Sequence, residues 1–173
     1  MKLVYHPNEW LDKQVAPFDF EKLDAKQIEK DMIKIMEDNQ GVGLSANQVG
    51  LDAQIFVMKP EGKDAFAVIN PKVEAVSEQI IEGEEGCLSF PGLYVKVKRA
   101  AALVASYVDS SNKECKIEFK GWEARIFQHE FDHLNGINYI DRVSKLRLDM
   151  AKKKQQKLMK LISQKVKDSK LYG

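Results

Sequence analysis

Residues 128–136 read QHEFDHLNG, and within them His129, Glu130 and His133 are spaced as H-E-x-x-H. On a helix, positions four apart share a face. Both imidazoles can then reach one ion. Glu130 follows the first of them, rotated about 100° around the axis. A carboxylate there stands beside the ion without binding it, as a general base for an ion-activated water. The motif can also arise by chance on an exposed helix. Here Ile126, Phe127, Phe131 and Leu134 flank it, so the helix reads as largely buried. Two imidazoles and a carboxylate left unpaired in such a place would be costly.

Two histidines do not close a metal site. One extended form of the motif adds a third histidine downstream, but Tyr139 occupies that position. No glutamate follows Glu130 anywhere in the chain, and Asp141 and Asp149 are weak candidates downstream. His6 lies in a YHP turn and reads as structural. Cys87 remains, in EEGCLSFPG, where glycine and proline mark a tight loop. A cation would stabilise its thiolate. Two neutral imidazoles and one thiolate leave a fourth position for water. Cys115 alternates with Ile117 and Phe119 and reads as a small buried hydrophobe.

These groups need elements to hold them. Residues 24–39 read as an amphipathic helix with Ile28, Met32, Ile35 and Met36 on one face, Asp24 as N-cap and Gly41 after its end. GVGLSANQVG (41–50) reads as a loop. Strands are expected at 54–58 and 66–70, the second stopped by Pro71. Another is expected over 73–92, running into a glycine-punctuated turn. A long alternating stretch at 94–109 and a strand at 117–121 follow, joined by a hairpin loop. Residues 122–136 return to helical period, and Gly136 ends them.

The chain has 173 residues, 44% of them hydrophobic and 31% charged, which suits one folded domain and excludes a disordered chain. No apolar run reaches the ~20 residues of a membrane helix, and no signal peptide is visible, so a cytoplasmic protein is expected. An organelle is the alternative, if a transit peptide has been removed. The net charge of +1 hides an asymmetry: from Ser144 onward ten Lys/Arg face two Asp/Glu, a local +8 that leaves −7 on the body. Leu158, Leu161, Ile162 and Val166 keep a helical stripe through this basic tail. The plain reading packs the stripe on the body. The sharper one offers the helix to an RNA-rich or acidic surface. The expected class is α+β, a single domain with antiparallel sheets around a central metal-binding helix. The division is 1–145 for the catalytic body and 146–173 for the basic helix.

With Cys87 in place, three motifs in order resemble the peptide deformylase family: GVGLSANQ (41–48), EGCLS (85–89) and QHEFDHLNG (128–136). The opening YHPNEWLDKQVAPF is also similar, and the likeness covers about residues 1–145. Ser45 stands where alanine is frequent in the family and Asn47 where proline is. The resemblance implies removal of the formyl group from N-formylmethionine at the start of nascent polypeptides. It implies one divalent ion, Fe(II) natively, with Zn(II), Ni(II) or Co(II) able to replace it. Cys87, His129 and His133 would be ligands and Glu130 the acid/base. Gln48 and the backbone N–H of Leu88 would meet the oxyanion, and Gly43 with its neighbours Leu44 and Ser45 would bind the substrate backbone. Glu85 and Gly86 are added to the substrate site.

An apolar pocket for methionine is sought among Leu88, Trp122, Ile126 and Phe127, at least half of which should be plain core. The peptide would add as a strand near 43–45 or 92–95. Asp132 is expected to hold a histidine ring or nearby backbone. Glu85 is a candidate partner for Arg99 or Arg125, though such charges are more often solvated. Neither a membrane nor DNA is an expected partner, and the ribosome is one through the basic helix. The alternatives are another small metalloprotease and a non-catalytic, ribosome-associated metal-binding protein.

Overall fold

The computed structural model describes residues 1–171, with side chains through Gln164. Helix α1 (Ala25–Asp38) starts where Asp24 accepts a hydrogen bond from the Gln27 N–H, a cap worth about 1 kcal/mol. Its Met32 and Met36 are fully buried, as the helical spacing requires. Two antiparallel sheets follow. The larger has the order β1 (Gly43–Ser45), β2 (Ile55–Met58), β3 (Phe66–Val76), β6 (Ala102–Val108) and β7 (Glu114–Lys120); the smaller pairs β4 (Ile80–Cys87) with β5 (Phe90–Ala100). Helix α2 (Gly121–Leu134) carries the H-E-x-x-H residues and packs against both sheets. The architecture is α+β in one domain, as expected.

Several local expectations fail for identifiable reasons. Pro71 does not end its strand. Asn70 takes a left-handed φ of 49°, the register shifts between Ile69 and Lys72, and β3 continues to Val76. Proline is tolerated at such a bulge because no ladder N–H is required there. Asn70 also holds the Phe18 backbone from both ends of its amide. The stretch 41–50 is not all loop: Gly43–Ser45 pair with Phe56–Met58, and a 3₁₀ turn follows over Ala46–Val49. Residues 73–92 are not one strand but parts of β3, β4 and β5. Residues 94–109 likewise divide at Ala101, where the chain changes sheets.

The core under α2 is aromatic. Phe127 is fully buried, edge-on to Phe56 and beside Phe119. Truncating such a ring to alanine costs about 3–5 kcal/mol. At the far end Gly136, at φ 71°, closes α2. Its N–H reaches the His133 carbonyl, and the N–H of Ile137 reaches that of Asp132. This pairing is a Schellman cap, and it needs a residue without a Cβ penalty at positive φ.

Helix α3 (Lys145–Leu171) corrects the reading of the tail. Its first turns dock: Leu148 and Ala151 pack beside Leu93 and Tyr139, and Gln155 donates to the Pro91 carbonyl. The stripe of Leu158, Leu161 and Ile162 is exposed, not packed on the body. Val166 lies outside the described side chains. The apolar period of the stripe is real, but about half of each of these side chains stays exposed.

Candidate metal centre

The tight hairpin between β4 and β5 places Cys87 opposite α2. Its Sγ lies 3.4 Å from His133 Nε2. The donor atoms of Cys87, His129 and His133 all lie within 4.8 Å of one another. Spacing of four on one helix supplies the two imidazoles, and the strand end supplies the thiol. The three predicted ligands thus meet at one point.

The chemistry around them suits a cation. Burial holds the His133 imidazole neutral, its pKa well below the ordinary value. Burial also favours neutral His129, but hydrogen bonds to Cys87 and Glu85 outweigh it and push its pKa up to about 10. The cluster therefore draws positive charge to its centre, and a divalent ion would meet that demand while both rings stay neutral. Glu85 Oε2 lies 3.0 Å from His129 Nδ1, which leaves Nε2 for the ion.

Glu130 is buried beside the cluster. Burial raises its pKa above the usual carboxylate range, against the opposing effects of His129 and the Ser45 hydroxyl. Ser45 Oγ stands 2.7 Å from Glu130 Oε2. On the other side the carboxylate presses on Gly43, where an added Cβ would come within 2.3 Å of Oε1. Only glycine leaves room for this approach.

Gln48 is fixed at both ends of its amide. Oε1 accepts the Ser45 N–H at 2.8 Å, and Nε2 faces Cys87 Sγ at 3.3 Å and Ser89 Oγ at 3.1 Å. A groove of about 520 Å³ opens over the cluster. Gly43, Leu88, Gly86, Trp122 and Ile126 line it, with Tyr94 on the far wall. Trp122 is half exposed and Ile126 buried, whereas Phe127 belongs to the core beneath and not to the pocket. Leu44 and Ser45 are fully buried and do not line the groove; of β1, Gly43 does. Among the described residues β1 pairs only with β2.

The surrounding ion pairs correct two expectations. Arg99 and Arg125 are buried rather than solvated. Both hold Glu85, whose pKa is lowered to about 2; burial raises it, but the hydrogen bonds from His129 and Arg99 outweigh that. Asp132 holds no histidine ring. It sits between Arg99 and Arg142. Glu85 takes the ring instead, because β4 passes the outer side of His129. Their pairing with Glu85 is as expected, and only their burial departs from the expectation. Tyr139, in the position of the absent third histidine, is buried and donates to the Leu93 carbonyl at 2.7 Å.

Known proteins resemble the chain over most of its length. The family model described as polypeptide deformylase matches residues 1–149. The chain is 40% identical to the peptide deformylase of Rhizobium meliloti over 152 residues, covering 86% of this chain and 87% of that one. It is 36% identical to that of Aquifex aeolicus over 163 residues, covering 91% and 96%. The crystal structure of a peptide deformylase from Synechococcus elongatus in complex with actinonin superposes with a TM-score of 0.84 at 33% identity, over 90% of this chain and 85% of that one. Cysteine hairpin, histidine helix and glycine-lined groove accompany a match over most of the sequence, and the chain belongs to the peptide deformylase family.

Proposed function

We infer that this chain removes the formyl group from N-formylmethionine at the start of nascent polypeptides, with Glu130 as its acid/base. The observation that carries the reading is the buried Glu130 beside three converging ligand atoms at the floor of an open groove. Cys87, His129 and His133 would hold one divalent ion, which supplies Lewis acidity and a water ionisable near neutral pH. Fe(II) is the proposed native ion, with Zn(II), Ni(II) or Co(II) as replacements. Loss of activity in air by the iron form, with the zinc form unaffected, is the check on that choice, since Fe(II) is oxidised in air and Zn(II) has no redox chemistry.

The substrate backbone adds along the free edge of β1, at Gly43. The methionine side chain lies against Ile126, Trp122 and Leu88. Glu130 takes a proton from the attacking water as oxygen bonds to the formyl carbon. Charge gathers on the formyl oxygen. Leu88 offers its backbone N–H, and Gln48 turns one Nε2–H from Cys87 towards that oxygen. One such donor contributes about 3–4 kcal/mol in the transition state. Glu130 then passes its proton to the nitrogen as the carbon–nitrogen bond breaks, leaving formate and a free amine. A formyl carbon bears only hydrogen, so the narrow floor admits it and rejects an internal peptide carbonyl. Glu85 serves this floor through His129 rather than by touching substrate.

No described helix is long and apolar enough to cross a membrane. The proposed setting is the cytoplasm, where the basic segment 146–173 meets the ribosome. The test is formate release from N-formyl-Met and N-acetyl-Met tripeptides with the ion content measured alongside. Turnover of the formyl peptide alone is expected. Equal turnover of both, or cleavage of internal bonds, would point to a general metalloprotease.

A further inference from the structure

Glu130 has two carboxylate oxygens in different surroundings. Oε2 faces the Ser45 hydroxyl at 2.7 Å. Oε1 lies against the Gly43 backbone, at the groove, with no hydrogen-bond partner among the described residues. Ser45 Oγ is also 3.0 Å from the Glu130 carbonyl oxygen, but it carries only one proton. The carboxylate, charged and closer, is the stronger acceptor. The Ser45 N–H in turn holds the Gln48 side chain, through Oε1 at 2.8 Å. Ser45 is fully buried, so no water competes for this bond.

We propose that Ser45 is a positioning residue: its hydroxyl ties down Oε2 of Glu130, leaves Oε1 as the oxygen that moves the proton, and couples that carboxylate to the Gln48 amide. This role rests on Glu130 being the acid/base. A carboxylate held at one oxygen keeps its second oxygen aimed at the reacting atoms. Released, it turns about its terminal torsion, which is soft. Alanine at this position would leave orientation to packing alone. Serine adds a hydrogen bond to a charged group, which is among the stronger kinds.

The experiment compares the ion-loaded enzyme, Ser45→Ala and Glu130→Gln in formate release from an N-formyl-Met tripeptide. Thermal midpoint and ion content are read for each. Ser45→Ala should lower kcat roughly tenfold, a change of about 1.4 kcal/mol, with KM and bound ion unchanged, because the β1 backbone and the ligands are untouched. If Ser45→Ala loses its fold, Ser45→Cys keeps the volume, donates poorly, and should show the same split. An unchanged kcat in a folded variant, with Glu130→Gln inactive, overturns the role of Ser45 alone. A fall in kcat matched by loss of ion also overturns it, by showing a structural role. Full activity of Glu130→Gln would instead remove the reading on which the role rests.

Discussion

Glu85 holds the His129 ring from outside the ligand cluster, its Oε2 3.0 Å from Nδ1, while Arg99 and Arg125 hold Glu85 in turn. The bond would leave Nε2 as the ring nitrogen available to an ion. Replacing Glu85 with glutamine keeps the shape and loses the charge. Ion affinity should fall about 10–100-fold, as is typical for such supporting partners. Competition with a chelator measures it. An unchanged affinity would mean that packing alone orients the ring.

Gly43→Ala should leave a folded protein that hardly turns over. The added Cβ collides with Glu130 Oε1, Cδ and Cγ, at 2.3, 2.8 and 2.9 Å. The carboxylate can swing aside, so the fold survives, but the displaced oxygen no longer meets the water. A displacement of about 1 Å costs on the order of 100-fold in rate. The check is kcat beside a thermal midpoint, and normal kcat would place the proton-moving oxygen elsewhere.

Asp132→Ala should act through stability. It strips Arg99 of one of two carboxylate partners in a buried site and frees Arg142. Breaking a buried pair from one side costs about 3–5 kcal/mol. Denaturant unfolding reads the change. A loss under about 1 kcal/mol, the range of exposed pairs, would show that water reaches Arg99.

The motifs made the clustering of Cys87, His129 and His133 legible, because chemistry fixes their spacing: four residues along a helix for the imidazoles, a tight hairpin for the thiol. The supporting charges were legible in part: Glu85 suggested Arg99 or Arg125, but the sharing of Asp132 did not show. Arg99 and Arg142 are 33 and 10 residues from Asp132, and nothing local announces that they share it. Strand limits failed where tertiary context overrode local signals, as when the Asn70 bulge carries β3 through Pro71. Gly43–Ser45 looked like loop because three residues make no period, and pairing with β2 alone makes them a strand. The exposed stripe of α3 has the right period for packing, yet about half of each side chain stays exposed.

That stripe leads to a prediction for the tail. Deleting 157–173 should leave short-peptide turnover and the thermal midpoint unchanged, since Leu148, Ala151 and Gln155 carry the docking. Deleting 145–173 should lower stability by uncovering Leu93 and Tyr139. Co-sedimentation with ribosomes at low salt should weaken in the shorter deletion and in added salt. Salt-insensitive or undiminished sedimentation would count against the basic helix as the contact.

The central claim is that Glu130 moves the proton while the three ligands hold the ion. The most direct measurement is formate release by Glu130→Gln with its ion content determined in the same sample. The account predicts a full complement of ion and turnover reduced by at least about 100-fold, in the range general acid–base catalysis supplies. Turnover near that of the unaltered enzyme, at full ion content, would contradict it.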